Sequence, residues 1–357
     1  MTTKFWLTSF FLIQLCTVQS QTIIHGTVTN IENSPIPYAT VFLSKTSIGV
    51  LADKSGVYSL HIPHNGTYEM IASCVGYETR SQIVKVHGID KLINIRLQEK
   101  NVLIKEVTVQ GKDRSRPQNY DLFVKCFIGR TANAPFCKIK NQKDLVIFRS
   151  SNDSNLIAYS KQSLVIENVS LGYRIIYDLQ SFNYNLKTKH LQFSGPYYFQ
   201  DINKNKRENF RINRNRLIAY YGSRMHFLRA LFTDSVSHEN FVMLDTRLDS
   251  VSNWWLTSNP IKESDLRLKL NPDSMTLYHP RPVEIKYTEN HPELFPLPFV
   301  YRPGIFTSRM YFTDSAHVYR NGVTDCFDLS WSGNMSFDRI AELLPDDFVP
   351  TSKSKKK

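Results

Sequence analysis

Histidine is the usual carrier of acid–base and zinc chemistry, so the ten histidines are the first residues to weigh. Zinc peptidases of one large class hold their metal on a His-x-x-Glu pair, and none of the ten has Glu three residues further on. His61 and His64 are three apart, but Pro63 intervenes and no acidic partner sits nearby, so both read as turn residues. From Tyr120 to Pro350 there is no Gly-rich phosphate loop, no Cys-x-x-Cys pair, no Gly-x-Ser-x-Gly elbow and no His-Glu-x-x-His helix. No catalytic, metal or cofactor-binding residue is assigned on this pattern.

The remaining candidates are carboxylates, aromatic pairs, basic runs and cysteines. A hydrolase acting on polysaccharide or peptide would need two carboxyls about 5 to 10 Å apart in a cleft. Glu167, Asp178, Asp234 and Glu239 are the ones it could draw on, and they are scattered. Trp254 and Trp255 offer ring faces that could stack on a sugar; the alternative is a pair straddling a strand, with one ring in the core. Lys204, Lys206, Arg207, Arg211, Arg214, Arg216, Arg224 and Arg229 form a basic series. It is either a surface for phosphate or acidic sugar, or a solvated helix face with arginines paired to Glu208, Asp234 or Glu239. With Cys16 in a leader, Cys74, Cys126, Cys137 and Cys326 remain: an even set that permits disulfides in an oxidising compartment, its pairing open, or four small buried hydrophobes.

The elements that must position these residues are mostly strands. Thr22–Thr29, Tyr38–Ser44, Val57–Ile62, Tyr68–Cys74, Ser81–His87 and Leu92–Leu97 are rich in β-branched and aromatic residues, with Gly and Pro between them, as in a β-sandwich. Asp53-Lys54-Ser55-Gly56 has the Asp and Gly positions of a type I turn. Asn101 to Gln110 alternates like one more strand, and the polar stretch with Pro117 that follows reads as a linker. Further on, Leu145–Phe148, Leu156–Tyr159, Leu164–Glu167, Tyr173–Leu179 and His190–Phe193 predict a meander. The apolar spacing of Phe210, Leu217, Tyr220, Tyr221, Phe227, Leu228 and Leu231 then predicts two helices, broken at Gly222-Ser223 with Ser223 as cap. Beyond Asp249, prolines including Pro296 and Pro298 mark loops between short strands such as Val283–Thr288 and Arg309–Thr313; Ser336 to Leu344 reads as a capped short helix stopped at Pro345.

Four blocks occur in fixed order: His25-Gly26-Thr27-Val28, Pro35-Ile36-Pro37-Tyr38-Ala39-Thr40-Val41, Ala52-Asp53-Lys54-Ser55-Gly56-Val57-Tyr58 and Cys74-Val75-Gly76-Tyr77-Glu78-Thr79. The series resembles the carboxypeptidase-regulatory-like domain of Bacteroidetes envelope proteins. That resemblance implies a seven-strand transthyretin-like sandwich, an accessory module with a carbohydrate-binding-like fold and no chemistry of its own. The chain departs from the family pattern at Asn30, where Asp is frequent. In TonB-dependent receptors a stretch like 101–110 follows the same domain; here fewer than 250 residues remain, without a plug-and-barrel pattern. The blocks Phe127–Ala134 with Cys137, Ile166–Asn168 before Leu171–Tyr173, and Tyr220–Ser223 before His226–Leu231 resemble a group of two-domain Bacteroidetes envelope proteins, which implies architecture and location but no activity.

Lys4 followed by the apolar run Phe5–Leu15 and Ser20 reads as a secretory signal cleaved before Gln21, too short to span a bilayer at about 20 apolar residues. The expected organisation is a signal at 1–20, a sandwich at 21–112, a linker at 113–119, a larger β-rich α+β domain with a helical pair in its middle at 120–350, and a basic tail at 351–357. Five of the twelve net positive charges lie in leader and tail; the +7 left on the folded part favours anionic neighbours such as lipid headgroups or acidic glycans. The expected function is a mainly β, non-enzymatic binding or scaffold protein in the periplasm or at the outer membrane. Its partner would be a glycan or an outer-membrane protein, with peripheral membrane contact open, and no nucleic acid. The alternatives are an accessory of TonB-linked uptake and a hydrolase of polysaccharide or peptide.

Overall fold

A computed structural model describes residues 21–100, 116–150, 154–202, 206–252, 254–294, 304–324 and 328–351. Residues 1–20, read as a leader and containing Cys16, the junction strand read at 101–110, Lys204, Pro296, Pro298, Cys326 and the residues beyond Thr351 lie outside the described residues.

The first eight strands are β1 (Thr22–Thr29), β2 (Thr40–Leu43), β3 (Gly49–Leu51), β4 (Val57–Ile62), β5 (Gly66–Ser73), β6 (Arg80–Val86), β7 (Lys91–Leu92) and β8 (Ile95–Arg96). They form two sheets, β4-β1-β7/β8 and β3-β2-β5-β6. Period-2 alternation closes the core: β4 turns Tyr58, Leu60 and Ile62 inward against Val41, Met70 and Val84. The stretch read as one strand, Leu92–Leu97, is interrupted because the Asn94 Oδ1 atom accepts the Thr27 N–H (3.0 Å) and hydroxyl (3.1 Å), a side chain standing in for a ladder carbonyl. Counted as one interrupted strand, β7–β8 completes the seven. At the Asp53 turn the carboxylate accepts the N–H groups of Ser55 (2.8 Å) and Val57 (2.9 Å), and Gly56 sits at φ +72°, where a Cβ would lie 2.5 Å from the Val28 carbonyl oxygen. Asn30 works as Asp would: its Oδ1 accepts from the Glu32 and Ser34 N–H groups at 3.0 and 2.8 Å, and a neutral amide oxygen suffices for that. His61 lies within β4, one residue before its end, rather than in a turn; His64 is in the bend that follows.

The back region opens with a helix whose first residues fall where the sequence predicts a linker, at 113–119. α1 (Arg116–Phe127) starts inside 113–119, and Pro117 occupies its first turn, where a missing N–H leaves no intrahelical bond unmade. Asn119, Phe123 and Phe127, four apart, form its buried stripe. Eight strands follow: β9 (Cys137–Ile139), β10 (Leu145–Arg149), β11 (Asn155–Ser160), β12 (Leu164–Asn168), β13 (Tyr173–Tyr177), β14 (Ser181–Asn185), β15 (Leu191–Ser194) and β16 (Tyr197–Asp201). They make sheets ordered β10-β11-β14-β15 and β16-β13-β12-β9, and enclose a core in which Phe123 stacks on Phe127 and meets Phe182.

The predicted helical pair is α2 (Lys206–Tyr220) and α3 (Arg224–Phe232). The Ser223 hydroxyl caps α3 by accepting the His226 N–H at 3.2 Å. Gly222 makes the break at φ +78°, and a Cβ there would lie 2.6 Å from the Tyr287 ring. Phe210, counted in the apolar spacing, is 62% exposed. The rest comprises β17 (Phe241–Leu248), β18 (Trp255–Pro260), α4 (Glu263–Leu266), β19 (Arg267–Leu270), β20 (Ser274–Leu277), β21 (Val283–Thr288), β22 (Ile305–Phe312), β23 (Ala316–Tyr319) and β24 (Leu329–Gly333). A five-stranded sheet, β18-β17-β21-β22-β24, and a three-stranded one, β19-β20-β23, bury a cluster that includes Phe227, Leu231, Phe241, Ile285 and Met310. The molecule is thus mainly β, with three large apolar clusters. The expected capped helix near the end is instead two 3-10 turns, Asn334–Phe337 and Ile340–Glu342; the Ser336 hydroxyl donates backwards to the Gly333 carbonyl and caps nothing.

Candidate functional site

Each carboxylate that a hydrolase could draw on is committed to a different partner. Glu167 is held by Arg174 (2.8 Å) and Lys140 (3.3 Å), which keep its carboxyl below the usual range. Asp178 accepts the Thr79 hydroxyl at 3.2 Å, a bond between the back region and the sandwich. Asp234 pairs with Arg267, and Glu239 with His226.

Three members of the basic series, Arg216, Arg224 and Arg229, are likewise drawn into structure, while Arg211 stays exposed. The Arg216 guanidinium lies 3.8 Å from the Tyr173 ring centroid, binds Asp201 at 3.0 Å and donates to the Leu171 carbonyl. Arg224 binds the Asp338 carboxylate and, at 2.6 Å, its carbonyl. Arg229 donates to three carbonyls: Asn321 at 2.7 Å, Phe348 at 2.8 Å and Asp346 at 2.9 Å. Two of the three carboxylate partners expected for these arginines, Asp234 and Glu239, serve other groups, and nothing is described of the Glu208 side chain. The actual partners of Arg216 lie 15 to 45 residues away, and those of Arg224 and Arg229 92 to 119 away, where local sequence gives no signal.

The Arg224 and Arg229 contacts lead to the C-terminal stretch 334–351, a strap that packs into the two cores of the back region and bonds to the Lys45–Ser47 turn of the sandwich. Beyond Asp338, the Ala341 N–H donates to the Ile128 carbonyl and the Ala341 carbonyl accepts from buried Asn168 (2.8 Å). Asn133 donates to Glu342 at 2.8 Å, and burial pushes the Glu342 carboxyl up. The Asp346 N–H donates to the Lys45 carbonyl, and Asp347 accepts both the N–H (2.8 Å) and the hydroxyl of Ser47. The Ser44–Ile48 turn of the sandwich also pairs with β16 through Lys45 N–H to Tyr197 O (2.7 Å) and Phe199 N–H to Thr46 O (2.9 Å). Phe42 stacks on Tyr198 with ring centroids 4.4 Å apart, beside Ile71 and Ile176. An open cavity of about 300 Å³, lined by Ser47, Arg216, Asp347 and Phe348 among others, lies along this seam.

One buried titratable cluster was not foreseen. His226 is 3% exposed; its Nδ1 accepts the Gly222 N–H at 3.1 Å, so the proton sits on Nε2 and is donated to Glu239 at 3.1 Å. Tyr220, Tyr221 and Tyr287 ring it, and His291 stacks on Tyr221. Both imidazole nitrogens are engaged by the protein itself, so the group has no free lone pair with which to act as a base. The signal was present in the helix, a histidine flanked by Met225 and Phe227 on an apolar face.

Trp254 is 70% exposed just before β18, an edge strand that also exposes Leu256; Trp255 is half-buried. Cys74, Cys126 and Cys137 are free thiols, and burial pushes the Cys137 thiol up to about 12. Among the described residues no group of three or more His, Cys, Asp or Glu side chains could hold a metal, and no helix is long and apolar enough to cross a membrane.

Residues 24–109 match the CarboxypepD_reg-like domain, and the front of the chain is such a domain. No curated protein matches the chain. Among solved structures, a 3-chlorocatechol 1,2-dioxygenase from Rhodococcus opacus is similar over 22% of this chain and 60% of its own, at 10% identity and a TM-score of 0.19. A type II cohesin–X-dockerin complex from Acetivibrio cellulolyticus is similar over 21% and 56%, at 22% identity and a TM-score of 0.19. A streptococcal ancillary pilin is similar over 23% and 34%, at 14% identity and a TM-score of 0.21. The chain thus spans 60% or less of the length of each, and at these scores the likenesses carry no argument.

Proposed function

We propose that this chain is an exported, non-enzymatic binding or scaffold protein of the cell envelope, whose ligand is a glycan or another envelope protein. The observation that carries the reading is the strap at 334–351: Arg224, Arg229 and Glu342, side chains suited to chemistry, are spent on fixing it to the back region, and Asp347 ties it to the sandwich. Joining an accessory sandwich to a second body in fixed register is what a scaffold requires. The dispersed carboxylates support the same reading, since Glu167, Asp178, Asp234 and Glu239 each answer to a separate partner. Exposed Leu256 on the edge strand β18, with exposed Trp254 just before it, adds an apolar contact surface. The leader-like residues before Gln21 supply the route out of the cytoplasm.

The test is a glycan array and a pull-down from envelope extract with the chain beginning at Gln21, run beside a turnover assay on envelope polysaccharide and peptidoglycan. Saturable binding with the polymer recovered intact is the expected result. Turnover of either polymer would overturn the reading.

A further inference from the structure

The sandwich carries an open surface cavity of about 360 Å³ that the strap does not use. Thr27, Thr29, Asn94, Ile95 and Arg96 line it from the β1–β8 side, Arg80 reaches in from the start of β6 in the other sheet, and Asn33 closes one end. Small-molecule sites run to roughly 300–1,000 Å³, so the volume admits a sugar unit. Ile95 is the one apolar residue of the seven, and no aromatic ring is among them. An apolar ligand and a stacked ring are both poor occupants of such a lining.

The two arginines set the charge. Arg80 donates to the Arg96 carbonyl at 2.9 Å, and Arg96 donates to Asn33 Oδ1 at 2.7 Å. Each guanidinium has about five N–H donors, so most remain available. In the back region Arg174, Arg216, Arg224, Arg267, Arg281 and Arg309 each have a carboxylate within 4 Å. Arg80 and Arg96 have none among the described residues. Two like charges facing one cavity repel each other, and an anion between them removes that cost. A guanidinium is a planar fork that fits a carboxylate with two parallel hydrogen bonds. Around it stand the Thr27 and Thr29 hydroxyls and the Asn94 amide, held in place by its bonds to Thr27; this is a donor and acceptor set suited to ring hydroxyls.

We propose that this cavity binds a uronate, a carboxylate-bearing sugar unit of an acidic polysaccharide. The carboxylate lies between Arg80 and Arg96, and the ring hydroxyls meet Thr27, Thr29 and Asn94. The proposal rests on the reading of the chain as a glycan binder and names the class of glycan. The excess of positive charge on the folded part draws such a polymer in from solution.

The experiment is calorimetric titration of the chain from Gln21 with trigalacturonate, with the neutral galactose trisaccharide and with inorganic phosphate. Three variants accompany it: Arg80→Gln, Arg96→Gln and the double substitution. Arg80→Gln breaks one bond to a carbonyl, and its Tm is taken first to confirm that the variant folds. Trigalacturonate should bind at least about tenfold more tightly than either control, and each single variant should lose about tenfold, the worth of one charge-assisted pair. Equal affinity for phosphate, equal affinity for the neutral sugar, or no loss in the folded variants would each overturn the site. Undiminished binding of trigalacturonate by the double variant would leave the binder reading standing and sink this site alone. Turnover of a polymer would sink the binder reading whether or not uronate occupies the cavity.

Discussion

His226, which is buried, and Asp346, which is half-buried, respond to pH in opposite directions. Burial holds the His226 imidazole down at about 4 against the pull of Glu239, so the native state refuses a proton that the unfolded chain accepts below about 6.5. Stability from this group is complete above pH 6.5 and is lost as the pH falls towards 4, by up to about 3 kcal/mol. Burial pushes the Asp346 carboxyl up to about 7, with Lys45 and Arg229 pulling it back. The native state therefore keeps a proton there that the unfolded chain gives up above about 4, and this part of the stability rises as the pH falls from 7. Between about pH 4 and 6.5 the two slopes oppose. Asp346→Asn keeps the backbone bonds to Lys45 and Arg229 and removes one slope. Urea denaturation at pH 5, 6 and 7 should show the variant losing about 1–2 kcal/mol relative to the parent as pH drops, after allowance for solvent screening of a half-buried carboxyl. A difference that stays constant with pH would show that Asp346 carries no proton in the native state.

At the scale of elements, α3 and the strap depend on each other. Arg229 is the shared part, because its guanidinium supplies the donors for the Asn321, Asp346 and Phe348 carbonyls at once. Arg229→Leu fits the apolar helix around it but strands those carbonyls, at a cost of about 3 kcal/mol. Hydrogen exchange should show the amides of Asp346 and Phe348 opening first, with β1 to β6 unchanged; unchanged protection in the strap would mean that Arg229 does not hold it. The elements themselves were largely legible beforehand. β1, β4 and β21 match their expected spans because alternation and turn residues are local signals. β3 is not legible, as three residues that begin with Gly49 carry too little pattern, and Pro117 hides α1, since it reads as a linker mark where it serves a first turn. The two-arginine cavity and the strap were not legible, since Arg80 meets Arg96, and Arg229 meets Phe348, only through the fold. One clue did exist: an arginine between Phe227, Leu228 and Leu231 on a buried helix calls for partners, and a reading of it as solvated surface leaves that unanswered.

Over the whole molecule, the question is whether the sandwich moves as a separate body. Neighbouring domains usually meet over modest polar contacts and shift relative to one another. Here the Ser44–Ile48 turn adds two backbone hydrogen bonds to β16, the edge of the β16-β13-β12-β9 sheet, so the seam continues a sheet edge and covers it. Phe42 and Tyr198 stack beneath those bonds, with Ile71 and Ile176 beside them, in a cluster distinct from the sandwich core. That separateness makes the seam testable without unfolding the sandwich. Phe42→Ala removes the ring that joins the two bodies, at about 3 kcal/mol, and leaves Val41 and Leu43 in the sandwich core. Calorimetry should show one unfolding transition in the parent and two in the variant, with the sandwich melting apart from the back region. A single transition at lower temperature would place the coupling elsewhere, in the strap through Ser47 and Asp347. If the two transitions appear, the same variant should bind trigalacturonate as the parent does, because the cavity of Arg80 and Arg96 is built wholly within the sandwich and owes its geometry to β1, β6 and β8 rather than to the seam.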